Sequence, residues 1–154
     1  MRLTGIFLLS LLAALTQLSA QTPPAVATGW DRVKIPAMKT SIYVGSVTLS
    51  TNVFERHGST LNSTYEAKVF PWFFWGETGR ISITLDDAEL AHLAKGETAE
   101  FTGEAFNHKH KPRAVSGRAQ PIDAKSGKMK IRIKVDDLEL IFNGTYDLLV
   151  QGPG

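Results

Sequence analysis

The strongest constraint in this sequence is an alternation of side chains over residues 128–148 that reverses its phase halfway. In the first half the odd positions are apolar and the even positions are basic, whereas from Leu138 onwards the even positions are apolar. Side chains of a strand point alternately to opposite faces, so each half is predicted to be a strand with one buried face. If Asp136-Asp137 is a two-residue hairpin loop, Val135 lies opposite Leu138 and all apolar positions share one face. A slip of one residue would expose that face, so the register is well specified.

Shorter runs of the same kind, separated by turn residues, precede this hairpin. We predict strands and turns from these runs at 41–55 (strand), 56–59 (turn), 60–74 (strand), 76–79 (turn) and 80–85 (strand). Pro71 inside the second strand indicates an edge or a bulge. A further strand ends near Ile122, and the loop 123–127 joins it to the hairpin. About seven strands in all predict a mostly β fold, either an antiparallel β-sandwich or a small closed β-barrel.

One short helix is predicted at about residues 86–95. Asp86 is a capping residue and Glu89 follows three positions later, as in a capping box, while Leu85 and Leu90 have the spacing of a hydrophobic staple. Lys95-Gly96 is typical of a helix end. We expect this helix to cover one end of the sheet or barrel.

The N-terminal segment indicates export. Residues 1–20 form a basic start, an apolar stretch and a small-residue end, which is the pattern of a signal peptide cleaved after Ala20. Residues 21–40 are predicted to be a lead-in, because Pro23-Pro24 and the lack of an apolar period give them little to pack, and residues 41–150 to be a single β domain. The chain has no cysteine, which favours a bacterial periplasmic or extracellular protein. No segment after the leader has the length and apolarity to span a membrane.

The charge of the chain is nearly balanced in total but unevenly distributed. Residues 77–104 carry seven acids and two bases, whereas residues 105–134 carry nine bases and one acid. The formal net charge of +2 argues against nucleic acid as a partner. Lys128, Lys130, Arg132 and Lys134, here called the basic row, form a solvated face, a protected edge strand, or a face that binds an anionic envelope polymer.

The aromatic run from Phe70 to Trp75 contains five aromatic residues and Pro71. Continued alternation would send Phe70, Trp72 and Phe74 to one face and Phe73 and Trp75 to the other. One set is expected to lie in the core, because aromatic side chains bury large areas. The other set is a covered face, a dimer contact or a platform for sugar rings, which makes Trp72 and Trp75 candidate binding residues.

Sequence motifs for catalysis are weak. His108 and His110 are spaced to share a metal ion on an extended backbone, and a third ligand would have to be Glu104 or the more distant His57 or His92. A polar hairpin loop over 107–112 explains the two histidines as well. Asp86-Asp87 and Asp136-Asp137 have cap and turn explanations. We identify no catalytic residue, and no motif implies a cofactor.

Three functions are therefore consistent with the sequence. The first is an exported, non-enzymatic binding module that contacts an anionic envelope polymer or a protein partner through an exterior face or loop. The second is a small-ligand carrier, which would need an interior cavity of about 300 Å³ or more. The third is a metal-dependent enzyme that uses His108 and His110.

Overall fold

A computed structural model describes residues 25–151, and the predicted signal peptide lies outside them. Its regular elements are ten strands, one α-helix and one 3₁₀ turn, in the following order: β1 Trp30–Lys34, β2 Met38–Ile42, β3 Gly45–Thr51, β4 Phe54–His57, β5 Thr60–Phe70, the 3₁₀ turn Phe73–Trp75, β6 Glu77–Thr84, α1 Asp87–Ala94, β7 Ala99–Asn107, β8 Pro112–Pro121, β9 Ser126–Val135 and β10 Leu138–Val150. In the described part of the chain, no helix has the length and apolar character needed to cross a membrane.

The strands close into an antiparallel barrel. β1 and β2 together form one interrupted strand of the barrel, and β3 and β4 together form the next. The ten segments therefore make eight barrel strands. The long strand β5 pairs with β4 and β3 on one edge and with β6 on the other, and β1 pairs with β10 to close the ring. The predicted mostly β fold with one short helix is confirmed, in its closed-barrel form.

The C-terminal hairpin has the predicted register. Val135 lies opposite Leu138 and Lys134 opposite Glu139. Asp136 adopts a φ of 53°, a left-handed conformation that Asp tolerates better than most residues. The inward side chains Met129, Ile131, Ile133, Leu140, Phe142, Tyr146 and Leu148 are buried in the core.

The helix is also confirmed. The Asp86 carboxylate accepts a hydrogen bond from the backbone N–H of Glu89 at 2.8 Å, as a capping residue should. The Glu89 carboxylate does not return to the cap but accepts from the backbone N–H of Glu100 at the start of β7. This bond and the buried Leu93 fix the helix across one end of the barrel, the end at which both described termini lie.

The predicted lead-in 21–40 does not match the structure in its second half. Trp30, Val33, Ile35 and Met38 are buried, and β1 begins at Trp30 and β2 at Met38. The predicted strand 41–55 is wrong as well, because the chain reverses at Tyr43-Val44 between β2 and β3. A β-carbon on Gly45 would overlap the carbonyl of Phe70, so only glycine fits beside β5 here.

The strand predicted for 60–74 ends at Phe70, and residues 77–79 of the turn predicted for 76–79 belong to β6. The Phe70–Pro71 peptide bond is cis, and the backbone beyond it forms the 3₁₀ turn. Proline lacks the N–H that a continued strand pairing needs, so the strand stops where the proline begins.

The barrel interior is filled by side chains, as expected for eight strands. An apolar cavity inside the described barrel has a volume of about 40 Å³ and is bordered by residues such as Trp30, Phe54, Phe101 and Tyr146. Burial raises the pKa of the Tyr146 phenol to about 12.

Substitutions in the C-terminal hairpin test the inward and outward assignment. Ile131→Ala or Phe142→Ala should lower the free energy of unfolding by about 2–5 kcal/mol, because each leaves a void in a packed interior. Thr145→Ala, an outward and exposed control on the same strand, should change it by less than about 0.5 kcal/mol. Equal losses at the three positions, measured by urea denaturation, would contradict the register.

Candidate functional site

Four chain connections meet at the end of the barrel opposite the helix. They are the β2–β3 turn at Tyr43-Val44, the segment 71–76 between β5 and β6, the loop 108–111 between β7 and β8, and the turn Asp136-Asp137 between β9 and β10. In an up-and-down barrel alternate connections lie at the same end, which brings together sequence features that are far apart in the chain. We call this part of the molecule the aromatic end.

Exposed hydrophobic side chains are concentrated at the aromatic end. Phe73, Phe74 and Trp75 are 68%, 75% and 56% exposed. Ten of the thirteen large hydrophobic side chains that the described residues expose lie at or beside this end: Tyr43, Val44, Phe70, Trp72, Phe73, Phe74, Trp75, Phe106, Leu138 and Ile141. A clustered apolar surface of this kind, unlike scattered exposed residues, marks an interaction site.

The aromatic rings of residues 70–75 pack on one another and form a protruding knob. Phe74 lies edge-on to Trp75 with ring centres 5.4 Å apart, and Phe70 edge-on to Phe73 at 5.8 Å. Trp72 and Trp75 are tilted by 35° at 5.5 Å. The prediction that one set of these rings lies in the core is therefore wrong, because the segment is not a strand and neither face of it turns inward.

Directly beneath the knob, the interior of the barrel is polar. The Glu77 carboxylate accepts hydrogen bonds from the Tyr65 hydroxyl at 2.8 Å, from the Asn107 amide at 3.1 Å and from the Arg113 guanidinium at 3.1 Å. Arg113 also reaches the exposed Asp136 at 3.3 Å. The Arg113 side chain is only 8% exposed, so this ion pair is largely withdrawn from water.

The ionisation of this cluster follows from its contacts. Burial by itself raises the pKa of Glu77, but the hydrogen bonds from Arg113, Asn107 and Tyr65 outweigh it, so the pKa lies below its ordinary value. The hydrogen bond to Glu77 raises the pKa of Arg113, and burial together with the same carboxylate raises the pKa of Tyr65. Glu77 and Arg113 are therefore an ionised pair.

A slot opens beside the knob between β2 and β10. In the described part of the chain β2 is paired with β3 but not with β10, whose hydrogen bonds to β1 end near Asp147. The slot has a volume of about 360 Å³ and is bordered by the segments 40–44 and 138–141. It adds apolar surface from Ile42, Leu138 and Ile141 to the aromatic end.

His108 and His110 lie in the hairpin loop at this end, as the loop interpretation predicted. The side-chain oxygen of Asn107 accepts from the backbone N–H groups of Lys109 and Lys111, both at 2.9 Å, and organises the loop. The backbone N–H of His108 donates to the carbonyl of Thr78 at 2.8 Å. Within residues 25–151 no three histidine, cysteine or acidic side chains are grouped to hold a metal ion.

The basic row lies on the outer face of β9, but β9 is not an edge strand. It pairs with β8 and β10 along its length, so the interpretation of the row as edge protection is wrong. Lys130 and Arg132 border a groove of about 500 Å³ together with Arg118 of β8. The same groove is bordered by the acids Asp86, Glu89 and Glu100.

The sequence prediction missed the buried cluster beneath the aromatic end. The sequence analysis predicts a turn at Glu77 and treats Arg113 only as one of the nine bases of residues 105–134. A usable signal existed for Arg113, because it is in phase with the apolar Val115 of β8 and so points inward. The same signal existed for Glu77, which is in phase with the inward Ile81 and Ile83 of β6. Its partners come from β5, β7 and β8, and that meeting could not be predicted from the sequence.

Comparisons with known proteins give no relative for this chain. No protein-family model matches it, and no significant match is found among curated proteins or solved structures.

The Glu77–Arg113 pair predicts a pH-dependent stability. Glu77→Gln should lower the free energy of unfolding by about 3 kcal/mol near pH 7, because it leaves Arg113 buried with a weaker partner. The pKa of Glu77 is lowered in the folded protein from 4.5, so the ionised carboxylate stabilises the fold above that pH and the contribution is lost as the pH falls through the folded pKa.

Thermal unfolding of both proteins between neutral and acidic pH measures this difference. The gap between wild type and Glu77→Gln should narrow in acid. Glu66→Gln, which removes an acid from an exposed pair with Lys68 at 3.5 Å, should cost less than about 1 kcal/mol at any pH. A difference in stability between wild type and Glu77→Gln that stays constant from neutral to acidic pH would contradict the ionised pair.

Proposed function

We propose that this protein is an exported, non-enzymatic interaction module whose contact surface is the aromatic end of the barrel. The observation that carries the proposal is the concentration of exposed aromatic and aliphatic side chains there, on loops that a rigid barrel holds in place. An exposed apolar cluster lowers the solubility of a protein. Such a cluster is therefore expected on a protein whose partner covers it.

The internal arrangement supports an exterior contact over a carrier. A carrier for a small ligand needs about 300–1,000 Å³ of enclosed space. The apolar cavity in the described barrel has about 40 Å³, and the aromatic end of the interior is occupied by the hydrogen-bonded cluster around Glu77. A contact through the knob requires neither an empty interior nor a catalytic group.

Retention on cell-envelope material tests the proposal. Protein expressed with its own leader should sediment with bacterial envelope fragments. Phe73→Ser with Phe74→Ser should reduce the sedimented fraction about tenfold or more, since each serine removes an exposed aromatic ring that the partner would bury. Ile122→Ser with Val150→Ser removes two exposed apolar side chains away from the aromatic end and serves as the control. Equal retention of all three proteins would contradict the proposal.

The basic row supports a second candidate, the binding of an anionic envelope polymer. Arg118 lies directly opposite Lys130 on the neighbouring strand, so the groove brings three cations together beside the hydroxyls of Thr102 and Ser116. Against it, Arg132 is 3.9 Å from Glu139, and Glu100 lies opposite Arg118. The cations are therefore partly neutralised before any polymer arrives.

Chromatography on heparin measures how much of this charge is available. Lys130→Gln with Arg132→Gln should elute at lower salt than wild type if the row binds polyanions, because each lost contact removes a salt-sensitive attraction. Lys39→Gln with Lys68→Gln removes the same charge from exposed positions on β2 and β5 and controls for net charge. If the two double variants elute at the same salt concentration, the basic row acts only through the net charge of the protein and is not a binding site.

A further inference from the structure

The aromatic knob is convex, and this limits what can cover it. The Phe74 ring is inclined by 70° to Trp72 and by 76° to Trp75, and Phe73, Phe74 and Trp75 are more than half exposed, so the knob presents edges and faces in several directions. A sugar-binding platform needs open, flat ring faces, and a rigid protein partner needs a matching cavity. A fluid surface that adapts to the knob needs neither.

The side chains at this end have the composition of a membrane interface. Tryptophan and tyrosine are enriched where a protein meets lipid headgroups, and phenylalanine inserts next to the acyl chains. Tyr43, Trp72 and Trp75 supply the first kind, and Phe73 and Phe74 the second. We propose that the partner of the aromatic end is the surface of a lipid bilayer, into which the knob inserts without crossing it; this inference rests on the function proposed above.

Lys109 and Lys111 add charge complementarity to anionic headgroups. Both are exposed on the loop beside the knob, and the buried Asn107, itself bonded to Glu77, fixes the loop backbone through two hydrogen bonds. Asp136 at the same end forms an ion pair with Arg113. The neighbouring exposed Asp137 is negative and offsets part of the charge of the two lysines. Anionic lipid should therefore strengthen the binding moderately and is not required for it.

The knob is ordered before it binds. The backbone N–H of Trp75 donates to the carbonyl of Trp72 at 2.9 Å, and that of Gly76 to the carbonyl of Phe73 at 3.2 Å. A preformed turn loses little conformational entropy on insertion. The helix and both described termini lie at the other end of the barrel, so the described chain leaves the approach of the knob to a flat surface unobstructed.

Vesicle binding by the protein expressed with its own leader tests the inference. We expect it to sediment with phosphatidylcholine vesicles and several-fold more strongly when phosphatidylglycerol is included. Tryptophan emission should shift to the blue, and lipids brominated near the headgroup should quench it. Trp30 is buried, with the Arg56 guanidinium 4.2 Å from its ring centre, so Trp72 and Trp75 supply the change.

Three variants assign the binding to the proposed residues. Phe73→Ser with Phe74→Ser should weaken binding to both kinds of vesicle about tenfold or more. Lys109→Gln with Lys111→Gln should remove most of the gain from phosphatidylglycerol and leave binding to phosphatidylcholine unchanged. Ile122→Ser with Val150→Ser should behave as wild type. All changed side chains are exposed, and circular dichroism verifies that each variant keeps its fold.

The outcomes separate this inference from the function on which it rests. The lipid assignment is overturned if wild type sediments with neither kind of vesicle. It is also overturned if the Phe73→Ser, Phe74→Ser variant sediments as strongly as wild type. If that variant still loses retention on envelope fragments, the aromatic end remains an interaction surface and its partner is an envelope protein or polymer. If both assays are insensitive to the variant, the proposed function falls as well.

Discussion

Closure of the barrel is the constraint on which the rest of the structure depends. Because β5 pairs with β4 and β3 on one edge and with β6 on the other, eight strands surround an interior just wide enough for side chains. Every second residue of each strand must then fill that interior, and the apolar cavity between Trp30 and Tyr146 in the described barrel is small. Specific contact with other molecules is therefore restricted to the outer face and to the two ends, and the helix already covers one of those ends.

The buried Glu77–Arg113 pair determines what the other end can do. An aromatic segment beside an open apolar barrel would be expected to fold inward and fill it. Here the interior below the segment holds an ion pair, an amide and a phenol that satisfy one another. Separating these groups to admit an aromatic ring would leave a charge buried without a partner, which is strongly unfavourable. The same bonds that close the interior thus keep the aromatic side chains outside it, and through Asn107 they also hold the loop that carries Lys109 and Lys111.

Sequence patterns predicted those parts of the fold whose signals are local. The hairpin around Asp136-Asp137 and the helix after Asp86 were predicted correctly, because alternation and capping need only neighbouring residues. Strand order has no local signal, so a protected edge stays among the three interpretations of the basic row although β9 lies between two partners. In the aromatic run every position is apolar, so alternation carried no information about where the strand ends. The cluster around Glu77 joins four strands, and no local pattern records such a meeting.

The two candidate surfaces differ in how far the fold itself neutralises them. On the outer face of β7 to β10, Arg118 lies directly opposite Glu100 and Lys134 directly opposite Glu139, and Arg132 is 3.9 Å from the same Glu139. Cross-strand pairs of opposite charge stabilise a sheet, so this arrangement has a structural explanation that needs no ligand. The aromatic knob has no such explanation, because its side chains neither fill the core nor support a strand. Exposure that the fold does not require is better explained by a partner, and a convex, hydrophobic and lysine-flanked surface matches a lipid interface more closely than a polyanion.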